Sequence, residues 1–155
     1  MRRAKPEIRE ILPDIRYNST YVQTMVQHVL KRGKKSTATS LIYDAMDIIQ
    51  ERTDKNPLEV FDTALKNVSP VMEVRPRRVG GATYQVPMEV SADRRTTLAI
   101  RWILSAARDR AGKSFSDKLA SELIDASNET GSAIRKRDET HKMAEANRAF
   151  SHYRV

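Results

Sequence analysis

The chain contains no cysteine. This excludes disulfides and thiolate metal sites, and it fits a reducing compartment. No run of about 18 apolar residues is present, so nothing in the sequence reads as a membrane span. Residues 1–16 alternate charges without an apolar stretch, so no secretory signal is visible, and Glu7, Glu10 and Asp14 argue against an organellar transit peptide. The three histidines, His28, His141 and His152, stand far apart and show no metal-ligand spacing. Each reads as a surface or capping residue, although His141 and Lys142 can reach a phosphate. No Ser/His/Asp or paired-carboxylate signature stands out, so neither catalysis, a cofactor nor a metal is indicated.

Positive charge is abundant instead: the 155 residues carry a net charge of +8. Such an excess suits an acidic partner, and it comes in blocks. Lys31, Arg32, Lys34 and Lys35 have no acid among them, whereas residues 36–70 hold three bases against six acids. Residues 91–113 hold six bases against two acids, 114–129 return to a net −3, and 130–155 to +3. Charge serving only solubility mixes its signs more evenly. One domain is expected at this length.

Most of the chain has helical periodicity. Val22, Met25, Val26, Val29 and Leu30 form one apolar stripe, and Ala38, Leu41, Ile42, Ala45, Ile48 and Ile49 form a second. Asn56-Pro57-Leu58-Glu59 reads as a capped helix start with a capping box, followed on one face by Phe61, Ala64, Leu65 and Val68. Ser91 can cap a fourth helix running to about Ala111, with Gly112 as its stop. Ser114 can cap a fifth, carrying Leu119, Leu123 and Ala126. Gly131-Ser132 opens a last helix through roughly Phe150. Residues 1–16, with two prolines and five bases, read as a loose basic arm.

Between the third and fourth helices lies Arg75-Pro-Arg-Arg-Val-Gly-Gly-Ala-Thr-Tyr-Gln-Val-Pro87. Arg75, Arg77 and Arg78 climb one strand, Gly80-Gly81 suits a tight turn with positive φ, and a second strand returns. Pro76 and Pro87 each remove a ladder donor and fit edge strands. No third strand is in sight, and a lone ribbon is marginal in water, so the segment at 72–90 reads as a projecting arm completed by a polyanion. The fold expected is a mainly α single domain of about six helices with a two-stranded β-hairpin arm.

Three further groups invite phosphate contact. Arg94, Arg101 and Arg108 are spaced by seven and share one helix face, widened by Arg95; the alternative is a solvated face. Trp102, in the apolar run Leu98–Leu104, reads as core rather than as a stacking platform. Lys31-Arg32-Gly33-Lys34-Lys35-Ser36 lies between two helices, where a turn exposes N–H groups beside four cations. Its last residues echo a P-loop, but His28 stands where that motif needs glycine and no strand precedes it. Tyr84 can stack on an exposed base or pack across the ribbon on Val74 or Pro76.

Several of these residues carry a resemblance. Gly33-Lys34-Lys35-Ser36, Arg77-Arg78-Val79-Gly80-Gly81 with Thr83-Tyr84-Gln85-Val86-Pro87, Arg101-Trp102, and the run His141-x-Met-Ala-Glu-Ala-Asn147-x-Ala-Phe150-x-His-Tyr-Arg154 are similar to the family of bacterial ribosomal protein seven of the small subunit. The chain departs from it at the N-terminus, where Arg2, Arg3 and Lys5 are diluted by Glu7 and Glu10, and in ending on Val155. The resemblance implies a six-helix fold with a projecting hairpin and a cytoplasmic place on the ribosome. It implies binding to the 3′ major domain of 16S rRNA, nucleation of head assembly, and a hairpin near the exit-site tRNA and the mRNA path. It implies small-subunit proteins nine and eleven as neighbours, no membrane, and no obligate homo-oligomer. Charge, position and the resemblance together give the expected RNA-binding residues: Arg2, Arg3, Lys31, Lys34, Lys35, Ser36, Arg75, Arg77, Arg78, Gly80, Gly81, Tyr84, Arg94, Arg95, Arg101, Arg108, Arg135, Lys136, Lys142 and Arg148.

RNA is favoured because the basic elements are scattered over a loop, a hairpin, a helix face and the termini, a set suited to an irregular folded surface. Two other classes stay open on the residues alone. A helix-turn-helix or architectural DNA binder would prefer duplex DNA. A helical adaptor would bind an acidic protein without RNA.

Overall fold

The computed structural model describes residues 9–153. Six α-helices and one hairpin account for most of them: α1 Thr20–Val29, α2 Lys35–Thr53, α3 Pro57–Val68, β1 Met72–Val79, β2 Ala82–Glu89, α4 Ala92–Asp109, α5 Phe115–Ser127 and α6 Ser132–Ala146, then a 3-10 helix, Arg148–Tyr153. This is the mainly α domain expected, with a two-stranded antiparallel sheet.

The apolar stripes explain the packing. Helix α5 contributes Leu119, Ala120, Leu123 and Ala126, all essentially fully buried, and packs against α2, α3 and α4. Phe61 from α3, Ile42 and Ile49 from α2, and Ile100 and Ile103 from α4 close around it. Side chains of this size each contribute roughly 1.5–3 kcal/mol when withdrawn from water. Trp102 lies partly buried against the same core, as its neighbours in the run Leu98–Leu104 imply.

Helix starts follow the expected chemistry in part. Asn56 accepts the Leu58 N–H at 3.0 Å with Pro57 in the first turn, and Ser114 accepts the Asp117 N–H at 3.1 Å. Ser19 caps α1, which sequence reading missed. Ser91 occupies the cap position of α4, but its hydroxyl receives no bond. That helix also stops at Asp109 rather than Ala111, because Arg110 turns into an extended conformation to reach acids on α5. The last helix does not run to Phe150. It ends at Ala146, where the Asn147 side chain donates to the Met143 carbonyl at 2.7 Å and the chain tightens into the 3-10 turn.

The N-terminal arm is not loose up to residue 16. Asp14 is buried and accepts N–H bonds from Arg16 and Tyr17 and the Tyr43 hydroxyl, and Arg16 pairs with Asp47 at 2.5 Å. The chain is thus fastened to α2 from Asp14 onward.

A fully buried acid joins α5 to α6. One Glu122 oxygen accepts the Ala133 N–H at 2.9 Å and the other accepts Arg110 Nε at 2.6 Å. It acts as a distant cap for α6, whose own cap position is Gly131. Only glycine fits there: φ is +95°, and a Cβ would come within 3.0 Å of the Glu122 carboxylate. Glu122→Ala leaves a buried guanidinium edge and a helix N–H without their acceptor. It should lower the unfolding free energy by roughly 3 kcal/mol or more, against about 1 kcal/mol for Ser114→Ala. Urea denaturation of the two variants checks both the size and the order.

Candidate nucleic-acid interface

The hairpin turns at Gly80 (φ +57°) and Gly81 (φ +90°), both positive as a two-residue turn between Val79 and Ala82 requires. The register pairs Glu73 with Met88, Arg75 with Val86 and Arg77 with Tyr84. Residues 75–83 are all exposed. The root is different, and here the expectation of an arm sharing little with the core needs correction. Val86 and Val90 are fully buried, β1 packs on α6, and β2 packs on the 3-10 helix. The Val71 N–H donates to His141 Nε2 at 3.1 Å.

Tyr84 does not pack across the ribbon on Val74 or Pro76. Its cross-strand partner is Arg77, so Val74 and Pro76 fall on the opposite face of the ribbon. The ring instead lies 5.2 Å from both Phe150 and Tyr153, stacked on the latter. Those partners come from the 3-10 turn, which periodicity alone reads as more helix. Beside this cluster, Val71, Met72, Pro87, His141 and Arg148 line a cleft of about 590 Å³.

The arginine stripe is real but uneven. Arg101 and Arg108 are exposed and make no ion pair among the described residues. Arg94 instead binds Glu73, as does Arg75. Glu73 is buried to 6% exposure at the hairpin root. Burial pushes its carboxyl up, but the hydrogen bonds and charges of Arg94 and Arg75 outweigh that and hold it below the usual carboxylate range. Arg95 is drawn into structure, donating to the Val90 carbonyl at 2.8 Å and pairing with Glu89.

The 31–36 loop reverses through Arg32 (φ +53°) and Gly33 (φ +75°) and delivers Lys35 and Ser36 to the first turn of α2. No acid sits in that turn and no side chain caps it; the Lys35 N–H donates to the Gly33 carbonyl at 2.9 Å, which leaves the Ser36 and Thr37 N–H groups to face an anion beside Lys31, Lys34 and Lys35. Burial, and next the charge of Arg101, push His28 at the end of α1 below the usual histidine range. Helix α1 packs on α4. Arg135, Lys136, Lys142 and Arg148 are exposed on α6 and the turn after it, with Lys136 3.5 Å from Glu139. Arg2 and Arg3 lie outside the described residues. Arg77, Arg78, Gly80 and Gly81 stand on the exposed part of the hairpin.

Sequence reading missed three buried acids, Asp14, Glu73 and Glu122; of these, Glu73 holds two arginines of the candidate interface, Arg75 and Arg94. Glu122 had a legible signal: it falls on the face of Leu119, Leu123 and Ala126. Among the described residues, no helix is long and apolar enough to cross a membrane, and no cluster of possible metal ligands occurs.

A compact helical body with a cationic hairpin, a cationic helix face and a cationic helix-start loop belongs to the class of polyanion-binding helical proteins. The comparisons with known proteins are narrower. The family model described as "Ribosomal protein S7p/S5e" matches residues 1–148, and the chain belongs to that family. It is 60% identical over 153 residues to the small ribosomal subunit protein uS7 of Pelotomaculum thermopropionicum, covering 99% of this chain and 98% of that one. It is 58% identical over 154 residues to the uS7 of Thermotoga petrophila, covering 99% of each. The uS7 of Arthrospira platensis is 57% identical over 153 residues, covering 99% of this chain and 98% of the other. The family is one of structural ribosomal proteins, not of enzymes.

His141 and His28 both lie below the ordinary histidine value of 6.5, chiefly through burial. A histidine kept neutral in the fold but free to protonate when unfolded contributes stability that is full above its unfolded pKa and lost as pH falls below it. The urea midpoint should therefore drop as pH is lowered from about 7.5 to about 5, before the carboxylates titrate. His141→Gln keeps an acceptor for the Val71 N–H and should flatten part of that drop. An unchanged pH profile in the variant would show that His141 does not contribute.

Proposed function

We propose that this chain is a primary RNA-binding component of the small ribosomal subunit. It binds the 3′ major domain of 16S rRNA, nucleates assembly of the head, and holds its hairpin tip near the exit-site tRNA and the mRNA path, with small-subunit proteins nine and eleven as neighbours. The observation that carries the RNA contact is the set of exposed cations that make no ion pair among the described residues: Lys31, Lys34 and Lys35 in the loop, Arg101 and Arg108 on α4, Arg78 on the tip, and Arg135 and Lys142 on α6. Family membership is what supports the finer placement on the rRNA and the choice of neighbours.

Affinity for a transcript of the 3′ major domain should fall steeply with salt, since phosphate contacts release counterions. Arg101→Ala should weaken binding across RNA variants about uniformly and shallow the log–log salt slope by about one unit. Its stability should change by no more than about 0.5 kcal/mol, as for other exposed substitutions. Filter binding across a salt series measures both. A flat titration, equal affinity for any RNA of the same length, or a preference for duplex DNA would sink the assignment.

Replacing residues 77–83 by a short Gly/Ser turn should leave the body folded and RNA-bound, though more weakly. In the free protein, amides of 77–83 should exchange faster than those of Val86 to Val90 and of Leu98 to Ala107, because only the tip lacks packing. Equal protection of tip and α4 would show that the tip, too, is held by the body.

A further inference from the structure

The hairpin root contains an acid where a polyanion-binding surface should least want one. Glu73 sits on β1 with its side chain 8% exposed, while Arg75 and Arg94 around it are 47% and 42% exposed. Arg94 Nε donates to both carboxylate oxygens, at 2.8 and 3.0 Å, and Arg75 Nε donates to one at 2.5 Å. Both arginines therefore spend the Nε edge on Glu73. Their Nη groups make no hydrogen bond with any described residue.

Geometry rather than net attraction explains this arrangement. A carboxylate that served only to neutralise one arginine would take two parallel N–H bonds along an edge that includes Nη. Here the Nη groups are left open on both side chains, and one carboxylate faces two guanidiniums, so the group keeps a net positive charge. Glu73 is itself shielded, so an incoming anion meets the guanidiniums and not the acid. Arg75 comes from the hairpin and Arg94 from the first turn of α4, so the pair also braces the ribbon against the body. Arginine forks match tetrahedral oxyanions, and a fork already held in one rotamer loses less freedom on binding.

We infer that Glu73 is a positioning residue that assembles Arg75 and Arg94 into a clamp for one backbone phosphate of RNA, at the junction of the hairpin and α4. This rests on the RNA-binding reading above and specifies one contact within it. It makes an unusual demand. Removing Glu73 raises the net charge by one, and long-range electrostatics alone would strengthen binding to a polyanion. A clamp predicts the reverse.

The test compares wild type, Glu73→Gln, Arg94→Lys and the double variant by filter binding to an in vitro transcript of the 3′ major domain, across a salt series. Glu73→Gln should weaken binding on the order of tenfold and shallow the log–log salt slope by about one unit, the signature of one lost phosphate contact. Arg94→Lys keeps the charge but loses the fork, and should cost about as much. The double variant should cost little more than either single one, because the two residues act as a unit. Circular dichroism and thermal unfolding check each variant. Should Glu73→Gln prove poorly folded, Arg94→Lys decides the matter, since Glu73 and the charge are then intact. Unchanged or tighter binding by a folded Glu73→Gln, or wild-type affinity in Arg94→Lys, overturns the clamp and leaves the RNA reading standing. A wild-type protein that binds the transcript no better than an unrelated RNA of equal length overturns both.

Discussion

The Glu122 carboxylate lies fully buried between α5 and the start of α6, and much of the molecule depends on it. Its two oxygens serve the Arg110 guanidinium and the Ala133 N–H. An ion removed from water in this way stays only if its partners are near and well placed. The constraint therefore runs outward in sequence: Arg110 must leave α4, Gly131 must approach without a Cβ, and α6 must begin at Ser132. The direction of α6 then sets the hairpin root, because β1 packs on α6 and the 3-10 turn that follows it packs on β2. An acid in the core thus reaches the cationic hairpin through one helix.

The hairpin shows how a ribbon without a third strand is made dependable. Its root borrows apolar cover from the body through Val86 and Val90, an acceptor for the Val71 N–H in His141 Nε2, and a stacked ring cluster around Tyr84. Its outer half, from Arg75 to Thr83, is exposed. Stability and reach are divided along one element. The buried end fixes where the arm points; the exposed end carries Arg78 and the glycine turn into solvent.

A net charge of +8 says little about which cations meet RNA, because the arginines divide into two populations. Arg16, Arg52, Arg110 and Arg137 hold the fold together through Asp47, Asp117, Glu122 with Asp125, and Asp138. Arg137 also donates to the Asn67 carbonyl at 2.5 Å and so links α6 to α3. Arg101, Arg108 and the lysines of the 31–36 loop have no such duty among the described residues. Arg94 and Arg75 stand between, anchored on one edge and open on the other.

Periodicity and turn chemistry were enough, in the sequence alone, to place six helices within a few residues, because the apolar stripes at 22–30, 38–49, 61–68 and 98–107 are strong and Asn56, Ser114 and Gly80-Gly81 carry local backbone instructions. They were enough to mark the cationic loop and helix face, and the run Arg77–Pro87 with the C-terminal His141–Arg154 pointed to the family. What they could not decide were outcomes that depend on partners distant in the chain. Ser91 gave up its capping bond, the last helix broke at Asn147, and Tyr84 found Phe150 and Tyr153 rather than its own ribbon. Asp14 and Glu73 read locally as ordinary surface acids, and Glu122 shows only that it shares an apolar face; the partners that hold them, Tyr43, Arg94, Arg110 and the Ala133 N–H, lie elsewhere in the chain. Helix propensity and turn formation are local energies that a short window contains. The pairing of a buried charge is a tertiary energy, set only when the packed helices decide which arginine stands within reach.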